Sequence, residues 1–352
     1  MKAAVLHGAG DIRIEERPRP QPAPGRVLVE VAACGICNSD VQRVRAAAVP
    51  RLPLVLGHEF AGRVAECGEG VRDLAGRRVA VYPLLWCGRC AACARNVHEC
   101  CAAYSYHGSR EDGGFAEFVL TRPENLVPLP DDVTGEEGAM TEPAAVGLHA
   151  LNRAEFRAGE SVAIIGAGAI GLIVAQIARA RGAAKVILCD AADAALESAR
   201  GLGFDLTVRT DAGSVAETVA TARGMAGGDG PHVVLEAAGA LATYNLALEL
   251  APALGRVVLM GNISGDLTVP RERVSSILRK QLRVLGTWNS SLVGSENEWA
   301  AVHGMVARKE IDLASLISHR VTLDKLADAF RMMIERREPY RKIMVLCKGE
   351  GR

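Results

Sequence analysis

The first third of the chain alternates apolar and polar positions over short stretches. Arg26–Ala33 places Val27, Val29 and Val31 on one face, which is the period of a half-buried β-strand. Similar stretches, interrupted by glycine turns, predict further strands at Lys2–His7, Asp11–Glu16, Leu54–Val71 and Arg77–Tyr82. Many short strands separated by glycine and proline predict a β-barrel-like domain.

The pattern changes near residue 150, where compact apolar runs begin to alternate with helical patterns. Ser161–Ile165 is almost entirely apolar, as in a strand covered on both faces, and Ile170–Ala180 repeats apolar residues at helical spacing. The alternation continues through Lys185–Cys189, His232–Glu236, Thr243–Leu250, Arg256–Met260 and Leu282–Leu285. Strands and helices in this order are typical of a doubly wound parallel sheet.

The last part of the chain predicts a return to the first domain. Two helices, Glu298–Ala307 and Asp324–Glu335, precede a final strand at Lys342–Leu346. The predicted fold class is therefore α/β, with a discontinuous β-rich domain at residues 1–150 and 287–352. The doubly wound domain occupies residues 151–286.

Composition and charge exclude several functional classes. A chain of 352 residues is long enough for two domains. Lysine and arginine together number 41, as do aspartate and glutamate, so no net charge attracts nucleic acid or an anionic membrane. The longest apolar runs, around Ile164 and Ile173, are broken by glycines and are too short to span a membrane. Ten cysteines without a signal peptide predict a cytoplasmic protein, where thiols stay reduced.

Four cysteines predict a zinc ion. Cys87, Cys90 and Cys93 follow each other at triplet spacing, and Cys101 lies at the end of a short loop. Thiolates at this spacing can reach one tetrahedral Zn²⁺ and close its coordination sphere. Buried or disulfide-bonded cysteines are the alternative, and Cys100 competes for the fourth place.

A glycine-rich turn predicts dinucleotide binding. In the run from Gly166 to Gly171, Gly166 suits the tight turn, Gly168 lets the backbone approach a pyrophosphate and Gly171 lets the helix pack closely. Ile170, in the same run, is expected to bind the cofactor as well. Asp190 ends the next strand, 19 residues after Gly171, where an acid can accept a hydrogen bond from a ribose hydroxyl. A carboxylate there repels a 2′-phosphate and two alanines follow it, so the pattern predicts NAD and not NADP.

A second set of metal ligands is possible elsewhere in the chain. Cys37, His58 and Glu59 could provide a thiolate, an imidazole and a carboxylate from two loops and leave one position of a zinc ion open. Each residue alone is more often structural. Glu142 lies just before the nucleotide-binding segment and could face the same site, or it could simply be a carboxylate at the start of a helix.

Together these motifs resemble the zinc-containing medium-chain alcohol and polyol dehydrogenase family. Gly57-His58-Glu59, with Gly62, Gly68 and Val71, matches the zinc signature of that family. The four-cysteine loop and the glycine-rich turn occur in the family's order, and the match covers essentially the whole chain. The resemblance implies a GroES-like catalytic domain and a Rossmann domain, with the active site in the cleft between them.

The resemblance also implies two zinc ions per chain. Cys37, His58, Glu59 and Glu142 correspond to the catalytic zinc environment, although which carboxylate binds directly stays open. Cys87, Cys90, Cys93 and Cys101 correspond to the structural zinc loop, which leaves Cys100 as the spare cysteine.

Two positions depart from the family run G-I-C-G-S-D-x-H. Asn38 replaces the glycine and Gln42 replaces the histidine. The resemblance implies that zinc acidifies the substrate hydroxyl, that a hydride passes to NAD and that Ser39 accepts the alcohol proton. Since glutamine does not titrate, the proton must leave through water, a cofactor hydroxyl or another residue.

The implied substrate is a polyol or a polyol phosphate. The runs Gly286–Ser291 and Gly108–Glu117 resemble galactitol-1-phosphate 5-dehydrogenases and sorbitol and other polyol dehydrogenases. Asn289 suits a hydroxylated substrate, and Arg110 or Arg43 could bind a phosphate. Alternatively, the polar patch formed by Asn289, Ser290 and Ser291 packs against another subunit. The expected reaction is oxidation of a secondary alcohol to the ketose by a homodimer or homotetramer.

The sequence motifs also fit other activities. Sorbitol, vicinal-diol (butanediol) and L-threonine dehydrogenases are alternatives within the family. The non-enzymatic alternative is a zinc protein that binds NAD without turnover. The number of its zinc ions, and how easily a chelator removes them, would distinguish it from an enzyme.

Overall fold

The computed structural model describes residues 1–263, 265–293 and 297–347. The chain divides into two compact units, the first comprising Met1–Pro143 and Ser291–Arg352 and the second Ala144–Ser290. The domain limits predicted from the sequence, 1–150 with 287–352 and 151–286, stay a prediction.

The elements follow the chain in this order. The first unit contains strands β1 (Lys2–Gly8), β2 (Asp11–Glu16), β3 (Val27–Gly35), β4 (Leu54–Val55), β5 (Glu59–Cys67), β6 (Arg78–Val81), β7 (Leu84–Leu85), β8 (Ser105–Tyr106), β9 (Phe118–Thr121) and β10 (Leu126–Pro128), with helices α1 (Asn38–Ala46), α2 (Ala91–Ala94) and α3 (Gly135–Ala139). Helix α4 (Thr141–Arg153) starts in the first unit and continues into the second.

The second unit and the end of the chain complete the set. The second unit contains β11 (Ser161–Ile165), α5 (Ala169–Ala180), β12 (Lys185–Asp190), α6 (Asp193–Gly201), β13 (Thr207–Arg209), α7 (Val215–Ala226), β14 (Val233–Glu236), α8 (Leu241–Leu250), β15 (Arg256–Leu259), α9 (Arg271–Lys280) and β16 (Arg283–Gly286). The tail contains α10 (Glu298–Ala307), β17 (Ile317–Thr322), α11 (Leu326–Glu335) and β18 (Lys342–Leu346).

The second unit is the predicted doubly wound parallel sheet. Its six strands lie in the order β13-β12-β11-β14-β15-β16, and all neighbours are parallel. The central strand β11 is buried along its whole length, which explains its apolar sequence. Four elements of this unit, α6, β13, α7 and α9, were not predicted from the sequence; β13 is only three residues long and α9 has no buried residue.

The turn after β11 is built from the predicted glycines. Gly166 has a φ of +108°, a conformation that residues with a Cβ rarely adopt. Gly168 is the N-cap of α5, and a Cβ added there would have no atom within 4 Å. A Cβ on Gly171 would overlap the carbonyl oxygen of Gly166. Gly171 therefore packs against the backbone of the turn, whereas the space beside Gly168 is free for a ligand.

The first unit is the predicted β-rich domain. Strands β10, β6, β5, β3, β18 and β17 form one sheet, with β9 also paired to β3, and β2, β1 and β4 form another. Strand β18 pairs with β3 in antiparallel fashion, so the end of the chain adds to the sheet of the first unit. The core of this unit contains apolar residues from both sheets and from α11.

The predicted stretch Leu54–Val71 breaks at a glycine and serves two sheets. Strand β4 pairs with β1, and β5 pairs with β3. Between them, Gly57 has a φ of +91°, and a Cβ there would lie 2.8 Å from the Cys34 sulfur. Glycine is therefore required where the chain changes sheets, directly before His58 and Glu59.

Among the described helices, none combines the length and the apolar character needed to cross a lipid bilayer.

We expect Gly171→Ala to lower the free energy of unfolding by about 1–3 kcal/mol, because the added methyl group forces the turn apart. Gly168→Ala is the matched control and should be as stable as the parent protein, but it should bind NAD more weakly. Urea unfolding and NAD titration measure the two effects. Equal losses of stability in the two variants would contradict this division of roles.

Candidate active site and metal centres

Four cysteine sulfurs come together in the loop that follows β7. The Cys90 sulfur lies 3.5 Å from that of Cys93 and 3.9 Å from that of Cys101, and the sulfurs of Cys87 and Cys93 are 4.0 Å apart. Four sulfurs at about 2.3 Å from a tetrahedral zinc would be about 3.8 Å from each other. A disulfide requires a separation of about 2 Å. The distances fit a metal centre and do not fit disulfides.

Local structure explains how the loop gathers these sulfurs. Cys90 is the N-cap of the one-turn helix α2, which brings Cys93 back beside it. The rings of Trp86 and His98 stack at 4.3 Å with an angle of 9° between their planes, so the residue before Cys87 contacts a residue near Cys101. All four sulfurs lie within 4.8 Å of one another.

The fourth member of the group is Cys101. Its buried sulfur accepts a hydrogen bond from the Cys87 backbone N–H at 3.2 Å, whereas the neighbouring Cys100 is exposed and lies outside the group. Backbone hydrogen bonds lower the pKa of Cys90 to about 6, while burial raises the pKa of Cys93 to about 12. A bound cation is therefore needed for all four thiols to be ionised together.

A second group forms where β3 ends and β5 begins. The antiparallel register pairs Gly35 with Glu59, so Cys37 lies just beyond β3 and next to the start of β5. One ligand atom from each of Cys37, His58 and Glu59 lies within 4.8 Å of the other two. A thiolate, an imidazole and a carboxylate supply three ligands to zinc and leave a position for a substrate.

Asp40 holds two of these residues in place. One oxygen of its fully buried carboxylate lies 3.3 Å from Nδ1 of His58, and the other accepts a hydrogen bond from the Cys37 N–H at 3.2 Å. With Asp40 facing Nδ1, Nε2 is the nitrogen available to a metal. Burial disfavours a charged imidazole, but the Asp40 carboxylate outweighs it and raises the pKa of His58 well above its usual value.

Glu59 is paired with a buried lysine. Nζ of Lys342 lies 2.7 Å and 2.6 Å from the two Glu59 oxygens and also donates to the Ile36 carbonyl at 3.2 Å. Burial alone would lower the pKa of Lys342, but the charge of Glu59 raises it. A metal at this site would share the Glu59 carboxylate with an ammonium group.

Glu142 lies near this group, but it is not one of the three residues whose ligand atoms lie within 4.8 Å of one another. Burial raises the pKa of Glu142 to about 7, with His58 opposing and Glu59 adding to the shift. Its Oε1 accepts a hydrogen bond from the Tyr106 hydroxyl at 3.1 Å, and the Tyr106 ring lies 5.8 Å from that of His58. Glu142 therefore belongs to the same buried environment.

The start of α4 is fixed by a buried histidine. Nε2 of His303 lies 3.0 Å from the hydroxyl of Thr141, and its Nδ1 lies 3.1 Å from the carbonyl of Pro128. Since a carbonyl only accepts, Nδ1 carries the hydrogen and Nε2 accepts from Thr141. This contact holds the residue that precedes Glu142.

The buried charges of this environment suit a divalent cation. Asp40, Glu59 and Glu142 are acids, and the pKa values of His58 and Glu142 are both raised. Both shifts mean that unbalanced negative charge is unfavourable here, and a zinc ion would balance it. We conclude that the residues fit zinc at both sites: a closed set of four sulfurs in the loop and an open set around Cys37.

Ser39 is held by an arginine. Nη1 of Arg43 lies 2.9 Å from Ser39 Oγ and 3.0 Å from Asp40 Oδ1. The two positions that depart from the family run, Asn38 and Gln42, are both exposed, and Asn38 accepts a hydrogen bond from the Tyr340 hydroxyl at 3.3 Å.

The candidate nucleotide site lies at the carboxyl ends of β11 and β12. Asp190 ends β12, and its two oxygens accept hydrogen bonds from the N–H groups of Ala167 at 2.7 Å and Ala192 at 2.8 Å. Asp190 is thus tied to the glycine-rich turn and is not a freely solvated strand end. Ile170 lies half-buried in the first turn of α5, whose N-terminus is open to a phosphate group.

The two residues suggested for the substrate lie in different units. Arg110 is exposed; its guanidinium donates to the Tyr104 carbonyl and lies 4.1 Å above the Tyr104 ring. Asn289 lies in the second unit with a φ of +53°, and its buried Nδ2 has no hydrogen-bond partner among the residues that the structure describes. No described contact joins Arg110 to Cys37, His58 or Glu59.

Sequence reasoning missed several residues that shape the site. Asp40 lies three residues after Cys37 within the family run, and this spacing is a signal for contact with the metal ligands. Tyr106, His303 and Lys342 carry no local signal, because only the fold brings them to the candidate ligands.

Comparisons with known proteins agree with this geometry. Residues 23–131 match the model of the alcohol dehydrogenase GroES-like domain, and residues 169–308 match that of zinc-binding dehydrogenases. Galactitol 1-phosphate 5-dehydrogenase of Escherichia coli K12 is 34% identical over 98% of this chain and 100% of its own. Human sorbitol dehydrogenase is 32% identical over 97% of this chain and 95% of its own.

A solved structure shares the whole fold. The crystal structure of galactitol-1-phosphate dehydrogenase from Escherichia coli superposes with a TM-score of 0.93 at 34% identity, covering 99% of this chain and 100% of the other. These matches confirm the GroES-like and Rossmann fold classes and the resemblance inferred from the motifs. The chain belongs to the zinc-dependent medium-chain alcohol and polyol dehydrogenase family.

Proposed function

We propose that the protein oxidises a secondary alcohol of a polyol or polyol phosphate to the ketose and transfers the hydride to NAD. The reaction takes place at the group formed by Cys37, His58 and Glu59, with Glu142 in the same environment. The observation that carries this proposal is the open set of three zinc donors with Ser39 two residues after Cys37.

Residues around the candidate zinc site either hold the ligands or transfer the proton. When bound, zinc supplies a Lewis acid for the substrate hydroxyl, and NAD supplies a hydride acceptor. Asp40 orients His58 and Cys37, and Lys342 holds Glu59 in place. Ser39 accepts the alcohol proton and releases its own to water or a cofactor hydroxyl. Gln42 takes no part in this transfer, because an amide does not titrate.

The cofactor is proposed to be NAD and not NADP. Asp190 brings a carboxylate to the glycine-rich turn, where a 2′-phosphate would meet a like charge. The nearby Arg209, which pairs with Asp190 in the sheet register, is already bonded to Asp193 and Asp211. It therefore offers no uncompensated cation to a 2′-phosphate.

The substrate proposal rests on the relatives and on polar groups of the chain. The names of the two relatives, galactitol 1-phosphate 5-dehydrogenase and sorbitol dehydrogenase, bring both a polyol phosphate and a free polyol into consideration. Asn289 offers a buried amide to a hydroxylated ligand. Arg110 is engaged with Tyr104, so a phosphate would have to compete with that contact.

Assembly into a homodimer or homotetramer is part of the proposal. Strand β16 is the last strand of its sheet, and helix α9 buries none of its residues. This edge exposes Val274, Leu278, Val284 and Trp288. An exposed edge strand beside apolar side chains favours cover by a second copy. The zinc thiolates also favour a reducing compartment such as the cytoplasm.

We expect NAD reduction with at least one member of a panel of polyols, polyol phosphates, vicinal diols and L-threonine, with the polyol or polyol phosphate preferred. Absorbance at the NADH band measures it, with NADP in parallel. Mild chelation should remove activity together with one of two zinc ions per chain. One firmly held zinc and no turnover would favour an NAD-binding protein instead.

Ser39→Ala should lower kcat about 100-fold, because the first proton acceptor is lost. Gln42→Ala, the neighbouring control on the same helix, should change kcat less than about twofold. Steady-state kinetics with the preferred substrate measure both variants. Equal losses would show that Ser39 has no special place in the proton path.

Cys90→Ser and Cys37→Ser should separate the two metal centres. Cys90→Ser leaves three sulfurs for the loop ion and should lose one zinc together with stability or assembly. Cys37→Ser should keep the fold and the loop zinc but lose turnover. Zinc analysis, thermal unfolding and kinetics distinguish the variants. Retained turnover in Cys37→Ser would contradict the assignment of the active site.

A further inference from the structure

An arginine contacts the candidate proton acceptor from within its own helix. Arg43 follows Ser39 by four residues on α1, so their side chains share one face of the helix. Nη1 of Arg43 donates to Ser39 Oγ at 2.9 Å and to Asp40 Oδ1 at 3.0 Å. The Arg43 side chain is 20% exposed and Asp40 is fully buried.

The contact with Asp40 keeps the guanidinium where it is. Asp40 is itself fixed by the Cys37 N–H and by His58. Moving Arg43 away from Ser39 would break an ion pair with a buried carboxylate, which is costly. The guanidinium is therefore a permanent neighbour of the Ser39 hydroxyl.

This neighbour limits what the hydroxyl can do. A serine hydroxyl has one hydrogen to donate and two lone pairs that accept. The Arg43 N–H takes one lone pair, which leaves the other for a substrate hydroxyl. The Ser39 hydrogen cannot point at Arg43, because a guanidinium has no acceptor. Because a guanidinium has only N–H donors, Arg43 orients the hydroxyl but offers no lone pair to take up the proton.

We propose that Arg43 is the positioning residue for Ser39: it presents one lone pair of Oγ to the substrate hydroxyl and directs the Ser39 proton away from α1. This proposal rests on the proposed function of Ser39. The exposed Gln42, at the place of the family's histidine, makes no hydrogen bond to Ser39 in the described part of the chain. In this chain the adjacent Arg43 provides the contact that organises the hydroxyl.

A double-mutant cycle tests the proposal in the zinc-loaded enzyme. Arg43→Gln should lower kcat about tenfold and leave KM within about twofold, because it removes a charged hydrogen bond to Ser39 without touching the substrate. In the Ser39→Ala background the same change should lower kcat less than about twofold. Arg45→Gln, an exposed arginine of the same helix, is the matched control and should have no effect.

Zinc content and the ratio of kcat/KM for phosphorylated and free polyol complete the test. Both should match the parent enzyme. Equal losses in the two backgrounds, or loss of zinc, would show that Arg43 acts through Asp40 and the metal and would overturn the proposal. A changed substrate ratio would overturn it as well, because Arg43 would then contact the substrate. An unchanged kcat would also overturn it.

Loss of stability in the variant and lack of activity in the parent enzyme have separate consequences. If Arg43→Gln lowers the melting temperature, Arg43→Lys carries the same cycle, since the lysine keeps a cation beside Asp40 but is too short to place a donor where Nη1 bridges the two oxygens. A parent enzyme inactive on every substrate would overturn the proposed function and this proposal with it. Failure in the cycle alone, with an active parent, would overturn only the role of Arg43.

Discussion

The antiparallel pairing of β3 with β5 is the constraint on which the candidate active site depends. The register places Gly35 opposite Glu59, and Gly57 turns the chain from one sheet into the other just before β5. A shift of one residue would turn Glu59 to the other face of the sheet and away from Cys37. The backbone pairing of the sheet therefore sets the ligand geometry, and the side chains of Asp40 and Lys342 refine it.

The charges around this site are balanced across distant parts of the chain. Lys342, on the last strand, supplies the cation for Glu59, and Arg43 supplies one for Asp40. Burial raises the pKa of Glu142, and the Asp40 carboxylate raises that of His58, so negative charge in this buried volume is disfavoured without a cation. A buried cluster of acids is stable only with such partners, and the same requirement makes the site receptive to a divalent cation.

The elements that neighbouring residues define could be predicted from the sequence. Contacts between residues far apart in the chain could not. The loop from Cys87 to Cys101, the turn from Gly166 to Gly171 and the strand Ser161–Ile165 are defined by neighbouring residues, and spacing and periodicity identify them. The pairing of Lys342 with Glu59 depends on β18 joining β3, which no pattern near either residue indicates. The role of Arg110 in substrate binding stays a prediction; its guanidinium contacts Tyr104, and nothing in its sequence context indicates that contact.

The two metal centres differ in the same way. The four sulfurs of the loop come from one short segment, so the ion can stabilise that segment without the rest of the unit. The ligands around Cys37 lie just after β3 and at the start of β5, and residues of α4 and β18 contact them as well. This site therefore forms only when these elements of the first unit are folded together. Catalysis needs such a site, because an open coordination position keeps its geometry only if the surrounding protein, and not a fourth ligand, fixes the other three.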